Sequence, residues 1–121
     1  MAHDDPLVLT RKEGKAPGTV VLHIAGPVTL RNLFDFQEHL RSGELPRVVI
    51  LDLAGVPYMD SAGMGAIINY YVHCDHRGVK LIVAGVNHRV MELFKLTRVD
   101  KVLTLAASAE EAESGLRSGS C

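Results

Sequence analysis

Two short stretches concentrate side chains able to do chemistry. The first is VPYMDSAGMGAII, Val56 to Ile68, where Ser61 stands between Asp60 and a run of small residues. The second is His73-Cys74-Asp75-His76, four potential donors in a row. Ser61 admits three readings: a helix cap, a nucleophile, or a group that another protein modifies. A hydrolase elbow needs the pattern G-x-S-x-G, because its strained turn brings backbone against backbone. Here the stretch is MDSAG, with Met59 in place of the first glycine, and no histidine follows Asp100 to complete a triad in the hydrolase order. The turn also lacks the Gly-Lys-Ser/Thr ending of a phosphate loop, and Gly63-Met64-Gly65 lacks the third glycine of a dinucleotide fingerprint. The expectation is a chain that is not an enzyme.

The donor run argues no more strongly for a metal. His73 and His76 are three apart, which one helix face can accommodate, but no third ligand is evident and a solvated polar face explains them as well. Asp35, Glu38 and His39 read more simply as the wet side of an earlier helix. Neither a metal nor another cofactor is expected.

The elements that must position Ser61 follow from hydrophobic periodicity. Leu7 to Thr10 and Thr19 to Ile24 read as two strands joined by a Gly, Lys and Pro turn. Leu30, Leu33, Phe36 or Gln37, and Leu40 recur at helical spacing, and Ser42-Gly43 can end that helix. Val48 to Leu53 is an almost unbroken apolar run, the pattern of a strand covered on both faces. After Pro57 the period turns helical again, with a stripe of Met64, Ile67, Ile68, Tyr71 and Val72 and a stop at Gly78. VKLIVAG is another buried strand, and Asn87 caps a helix whose stripe is Val90, Leu93, Phe94 and Thr97. KVLTL is a last short strand, and Ser108 with Glu111 has the spacing of a capping box for a final helix.

Strands alternating with helices predict an α/β fold, a mixed but mainly parallel sheet of 4–5 strands with about four helices packed against it. The chain of 121 residues has room for one domain, with a core from about residue 7 to residue 116. Sites in such sheets lie beyond the C-terminal ends of strands, where the Pro57 to Gly65 turn stands.

Charge and composition narrow the partners. Thirteen basic and 14 acidic residues leave a formal net charge of −1, and aromatic residues make up only 5% of the chain, so neither an electrostatic footprint nor stacking platforms for nucleic acid are evident. Asp52, Pro57 and Asp60 interrupt the most apolar stretch, so no membrane span is expected. Cys74 and Cys121 form no disulfide framework and the opening residues have no signal-peptide pattern, which reads as a reducing, cytoplasmic setting.

As a cap, Ser61 would contribute about 1 kcal/mol. That leaves Gly63 and Gly65 unexplained, since each costs a helix roughly 1 kcal/mol against alanine. Close approach of another backbone or protein surface is the benefit that offsets such a cost.

From Thr19 to Ala112 the chain resembles the STAS domain, the sulphate-transporter and anti-sigma-factor-antagonist fold, and specifically the small bacterial anti-sigma factor antagonists. The resemblance rests on Asp60-Ser61-Ala62-Gly63-Met64-Gly65, similar to the family's D-S-(small)-G-(Leu/Met)-G, and on Leu96-Thr97 followed by Asp100. It implies that Ser61 is phosphorylated by an anti-sigma factor that is also an ATP-dependent serine kinase of the histidine-kinase-like ATPase type, and that a phosphatase resets the switch. It further implies that unphosphorylated protein binds the kinase and frees a sigma factor. In this reading Asp60 orients the turn and joins the partner contact with Ser61 and Thr29, while Ala62, Gly63, Met64 and Gly65 form the docking surface, the two glycines keeping it low. Met64 suits plain core equally well. Thr29 stands near the serine where family members often carry an acidic residue, so a carboxylate that would orient the kinase or its metal is missing; Arg98 stands where the family often has glycine.

Two other readings share these residues. The domain could be a constitutive scaffold of a stress-signalling or lipid-transport complex, with Ser61 a plain cap. It could instead bind a nucleotide or small anion at the Ser61 helix start. An exposed edge at Leu7 to Thr10 offers a place for a second copy and a homodimer.

Overall fold

The computed structural model describes residues 7–41 and 43–117. Ser42 and Cys121 lie outside the described residues. Five strands form one sheet in the order β1-β2-β3-β4-β5: β1 (Val8–Glu13), β2 (Thr19–Ala25), β3 (Val48–Gly55), β4 (Lys80–Ala84) and β5 (Thr104–Ala106). β1 runs antiparallel to β2, and the remaining pairs are parallel. Four helices accompany them: α1 (Leu33–Arg41), α2 (Ser61–His76), α3 (His88–Leu96) and α4 (Ala109–Arg117). Short 3-10 turns at Leu30–Asn32 and Val99–Lys101 lead into α1 and β5 respectively.

The unbroken apolar character of β3 and β4 has a direct cause, because both strands are covered twice. Val49, Leu51 and Leu53 join Leu81 and Val83 in the main core, with Phe36 and Leu40 of α1, Ala66, Ile67, Tyr70 and Cys74 of α2, and Val90 and Phe94 of α3. The alternate residues Ile50, Ile82 and Ala84 form a smaller cluster on the other face, closed by Ala112 of α4. Side chains alternate across a strand, so a strand between two helical layers must be apolar at nearly every position. Asp52 breaks this run because it is paired: its Oδ2 lies 2.7 Å from His23 Nδ1 on β2, and its Oδ1 accepts from the Ala54 amide at 3.0 Å.

Several boundaries differ from the sequence reading. β1 extends through Arg11, Lys12 and Glu13, since an edge strand is held by backbone pairing with β2 and needs no apolar face there. The first helical stripe does not begin at Leu30, which opens the 3-10 turn and is 64% exposed. The buried face of α2 is Gly63, Ala66, Ile67, Tyr70 and Cys74, rotated from the expected stripe; Met64, Ile68 and Tyr71 are half-buried and Val72 is exposed. α2 is apolar nearly all round, so its sequence alone fixed no single stripe. The last strand begins later than expected, because Val99–Lys101 forms a 3-10 turn. Asn87 and Ser108 cap as expected, their side-chain oxygens accepting from the Val90 and Glu111 amides at 2.8 and 3.1 Å.

Candidate functional site at the start of α2

The turn that carries Ser61 is built by two loops lying side by side. Beyond the ends of β2 and β3, Gly26 N–H donates to Gly55 O at 2.9 Å, Val28 N–H to Tyr58 O at 3.2 Å and Asp60 N–H to Val28 O at 3.2 Å. Val28 and Met59 form an isolated parallel bridge. The β2–α1 connection thus continues the parallel pairing past the sheet and fixes where α2 begins. Val56 and Met59 are buried and anchor the loop from below, while Pro57 and Tyr58 face out. On the far side, Asn87 Nδ2 donates to Val56 O at 3.1 Å and to Pro57 O at 3.0 Å, and the Arg89 guanidinium sits 5.2 Å from the Tyr58 ring centroid.

Asp60, and not Ser61, is the N-cap. Its backbone is extended, its Oδ1 accepts from Gly63 N–H at 2.9 Å, and its Oδ2 accepts from Leu30 N–H at 3.0 Å. Aspartate and serine cap about equally well, so neighbours of these two types leave the choice to the backbone. Here the Val28 to Asp60 bond settles it by holding Asp60 outside the helix. Ser61 becomes the first helical residue, exposed, and its hydroxyl has no hydrogen-bond partner among the described residues. No imidazole is bonded to it, so no nucleophile and base pair is assembled here.

The two glycines separate. A Cβ on Gly63 would lie 2.3 Å from Val28 O and 2.9 Å from Val28 Cγ1, so Gly63 is buried against the β2–α1 backbone. The expectation that it keeps an outer surface low is therefore corrected: its close approach is internal. A Cβ on Gly65 would meet nothing within 4 Å, which leaves that position open to an external partner. Met64 is half-buried against the main core, and its sulfur accepts from Thr97 Oγ1 at 3.2 Å. Ala62 is half-buried beside it.

Thr29 has a structural task. Its Oγ1 accepts from Arg31 N–H at 3.3 Å and its own N–H donates to Asn32 Oδ1 at 2.9 Å, a reciprocal capping box on the 3-10 turn. Leu30, the next residue, is the one that bonds Asp60, so the segment carrying Thr29 meets the Asp60 to Gly65 turn through Leu30. Sequence reasoning missed the exposed apolar residues bordering this turn. Leu30 is joined one helical turn later by Phe34, which is 79% exposed, and Leu96, 83% exposed, directly precedes the Thr97 that touches Met64. The helical spacing puts Leu30 on the buried stripe and leaves Phe34 and Leu96 off the stripes of their helices.

The His73 to His76 run divides between inside and outside. Cys74 is fully buried, and burial pushes its thiol pKa up against the weaker lowering from Tyr70 and Arg77. Tyr70, also buried, has its phenol pKa raised, first by burial and then by Cys74. His73 lies on the surface with its pKa lowered by partial burial and by the nearby Arg77, Arg41 and His76. Among the described residues, no group of three or more His, Cys, Asp or Glu side chains is placed to hold a metal ion. Nor is any described helix long and apolar enough to cross a membrane.

Comparison with known proteins is consistent with this architecture. Solute carrier family 26 member 10 of Mus musculus is 27% identical over 105 residues, which cover 78% of this chain and 16% of that protein. The chain thus spans only a small part of that carrier's length. The anti-sigma-B factor antagonist of Listeria monocytogenes is 24% identical over 86 residues, 69% of this chain and 75% of that one. The crystal structure of an anti-sigma factor antagonist from Mycobacterium paratuberculosis shares the fold, with a TM-score of 0.83 over 97% of this chain and 99% of that chain at 16% identity. A family model described as STAS domain matches residues 13–112, from the last residue of β1 into α4 and across the whole Asp60 to Gly65 turn. With that match spanning β2 to β5 and helices α1 to α3, the chain belongs to the STAS domain family.

Proposed function

We propose that this protein is a non-enzymatic partner-switching regulator of the anti-sigma factor antagonist kind, with Ser61 the residue that a serine kinase partner phosphorylates. The observation that carries the reading is the division of labour between neighbours. Asp60 caps α2 with Oδ1 and ties down Leu30 with Oδ2, so the exposed Ser61 hydroxyl has no structural task. Similarity to the Listeria anti-sigma-B factor antagonist supports the partner class.

The chemistry of a switch follows from charge. A phosphoryl group adds about −1.5 to −2 charges at pH 7. At the first turn of α2 the macrodipole favours an anion, and of the first-turn amides Gly63 is already bonded to Asp60 while Ser61 and Ala62 remain for the phosphoryl oxygens. The fold therefore tolerates the group. Within a protein interface over Ala62, Met64 and Gly65, the same charge beside Asp60 is repelled and poorly desolvated, so the complex is lost.

The test is affinity capture with wild type, Ser61→Ala and Ser61→Asp as baits, followed by mass spectrometry of the companions and of the Ser61 peptide. The reading requires an ATP-dependent kinase bound by wild type and Ser61→Ala, lost with Ser61→Asp, and able to phosphorylate Ser61. Identical companions on all three baits would favour a second reading, a non-switching STAS module of a larger assembly. The 27% identity to part of a mouse solute carrier is what keeps that reading in view.

A further inference from the structure

Several basic side chains gather far from Ser61. α2 has 16 residues, so its last turn lies about 22 Å from Ser61 at the usual rise per residue. At that far end α1 finishes in exposed Arg41, and α2 finishes in His73 and exposed His76 and Arg77. Arg11 of β1 flanks the group, its guanidinium donating to Glu44 O at 2.7 Å just beyond α1 and acting electrostatically on Tyr70.

Contacts within the last turn of α2 fix part of this group. Arg77 Nη1 is 3.1 Å from His73 Nδ1. A guanidinium only donates, so Nδ1 accepts and the imidazole proton sits on Nε2. The His73 ring is stacked on Tyr70, with centroids 6.2 Å apart and planes inclined by 21°, and is thereby held in one orientation. A helix dipole favours a cation at each C-terminus. It does not account for two helix ends and an edge strand converging with their cations together. Partial burial first, and then the basic neighbours Arg77, Arg41 and His76, lower the His73 pKa. The nearest acid in sequence, Asp75, lines a separate groove with Tyr71, Lys80 and Thr104.

We propose that this corner, formed by Arg41, His73, His76 and Arg77 and flanked by Arg11, docks an acidic peptide segment of a protein partner, independently of the Ser61 switch. Arginine forks match carboxylate or phosphate oxygens in pairs, and the Nε2–H of His73 adds a further donor. A membrane surface is the poorer fit, since polybasic lipid sites gather 4–8 Lys or Arg. This corner has three arginines and no lysine.

A fluorescein-labelled hexaglutamate peptide titrated into the 15N-labelled full chain at low salt tests the proposal. Saturable shifts should fall on residues 39–41 and 73–78. The Arg41→Ala/Arg77→Ala double variant should lose at least about tenfold in affinity, as expected for charged hydrogen bonds, while retaining the wild-type melting curve. Ser61→Asp should bind the peptide as wild type does, which separates this site from the kinase reading. Shifts elsewhere or none, an unchanged double variant, or capture of the protein by phosphatidylserine vesicles in preference to the peptide would each overturn it.

Discussion

Gly63 and Gly65 are two residues apart on one helix, and the structure predicts opposite responses when each becomes alanine. On an open helix surface the change gains up to about 1 kcal/mol through lower chain entropy and better helix propensity. Gly65 meets that condition, because its Cβ would touch nothing within 4 Å. At Gly63 the new carbon would stand 2.3 Å from Val28 O and 3.0 Å from Val28 C. The obstacle is backbone, so no side chain can rotate away, and relief requires a shift on the order of 1 Å between α2 and the β2–α1 loop. That shift strains the Asp60 N–H to Val28 O bond of 3.2 Å and the Gly63 N–H to Asp60 Oδ1 bond of 2.9 Å. Overpacking costs about 1–3 kcal/mol and a weakened cap bond about 1 more, against the propensity gain, for a net loss of about 2 kcal/mol. At this chain length that corresponds to a fall in Tm of about 8 °C for Gly63→Ala, and a rise of about 3 °C for Gly65→Ala. Differential scanning calorimetry of the three proteins in one buffer reads both. A Gly63→Ala protein as stable as wild type, or two variants that shift in the same direction, would refute the argument that Gly63 is an internal contact.

Further consequences can be measured on the same samples. Asp60→Ala removes the acceptor for both Gly63 and Leu30 amides and should lower stability by about 1–2 kcal/mol in urea unfolding, with Asp60→Asn recovering most of it because asparagine caps as well. Arg98 holds the left-handed conformation at φ 64°, so Arg98→Gly should raise stability by about 0.5–1 kcal/mol, seen as a higher urea midpoint. Burial raises the pKa values of the Cys74 thiol and the Tyr70 phenol above their unfolded values. Their contribution is therefore complete below the unfolded thiol pKa of about 8.5 and is lost as pH rises toward the folded values. Urea midpoints measured from pH 7.5 to pH 10 should fall, and Cys74→Ala should flatten the first part of that decline.

The order of elements, the parallel strands and the caps at Asn87 and Ser108 were legible in the sequence because each depends on residues close together in the chain. Unbroken runs such as Val48 to Leu53 report burial on two faces, and a cap residue sits three positions from the amide it serves. The turn holding Asp60 and Ser61 was legible for the same reason, as was its place beyond the end of β3. What one stretch of chain left undetermined was decided by residues far from it in sequence. Asp60 and Ser61 are both competent caps, and the Val28 carbonyl, 32 positions before Asp60, selected Asp60 and released Ser61 to the surface. α2 is apolar on most sides, so the sheet against which it packs chose Tyr70 and Cys74 for the core in place of Tyr71 and Val72. Gly63 and Gly65 look alike in sequence, yet one faces backbone and the other open space. Periodicity and local chemistry specify which residues form an element and where it starts; rotation about its axis and the surface it meets depend on long-range packing, which only the assembled sheet and helices supply.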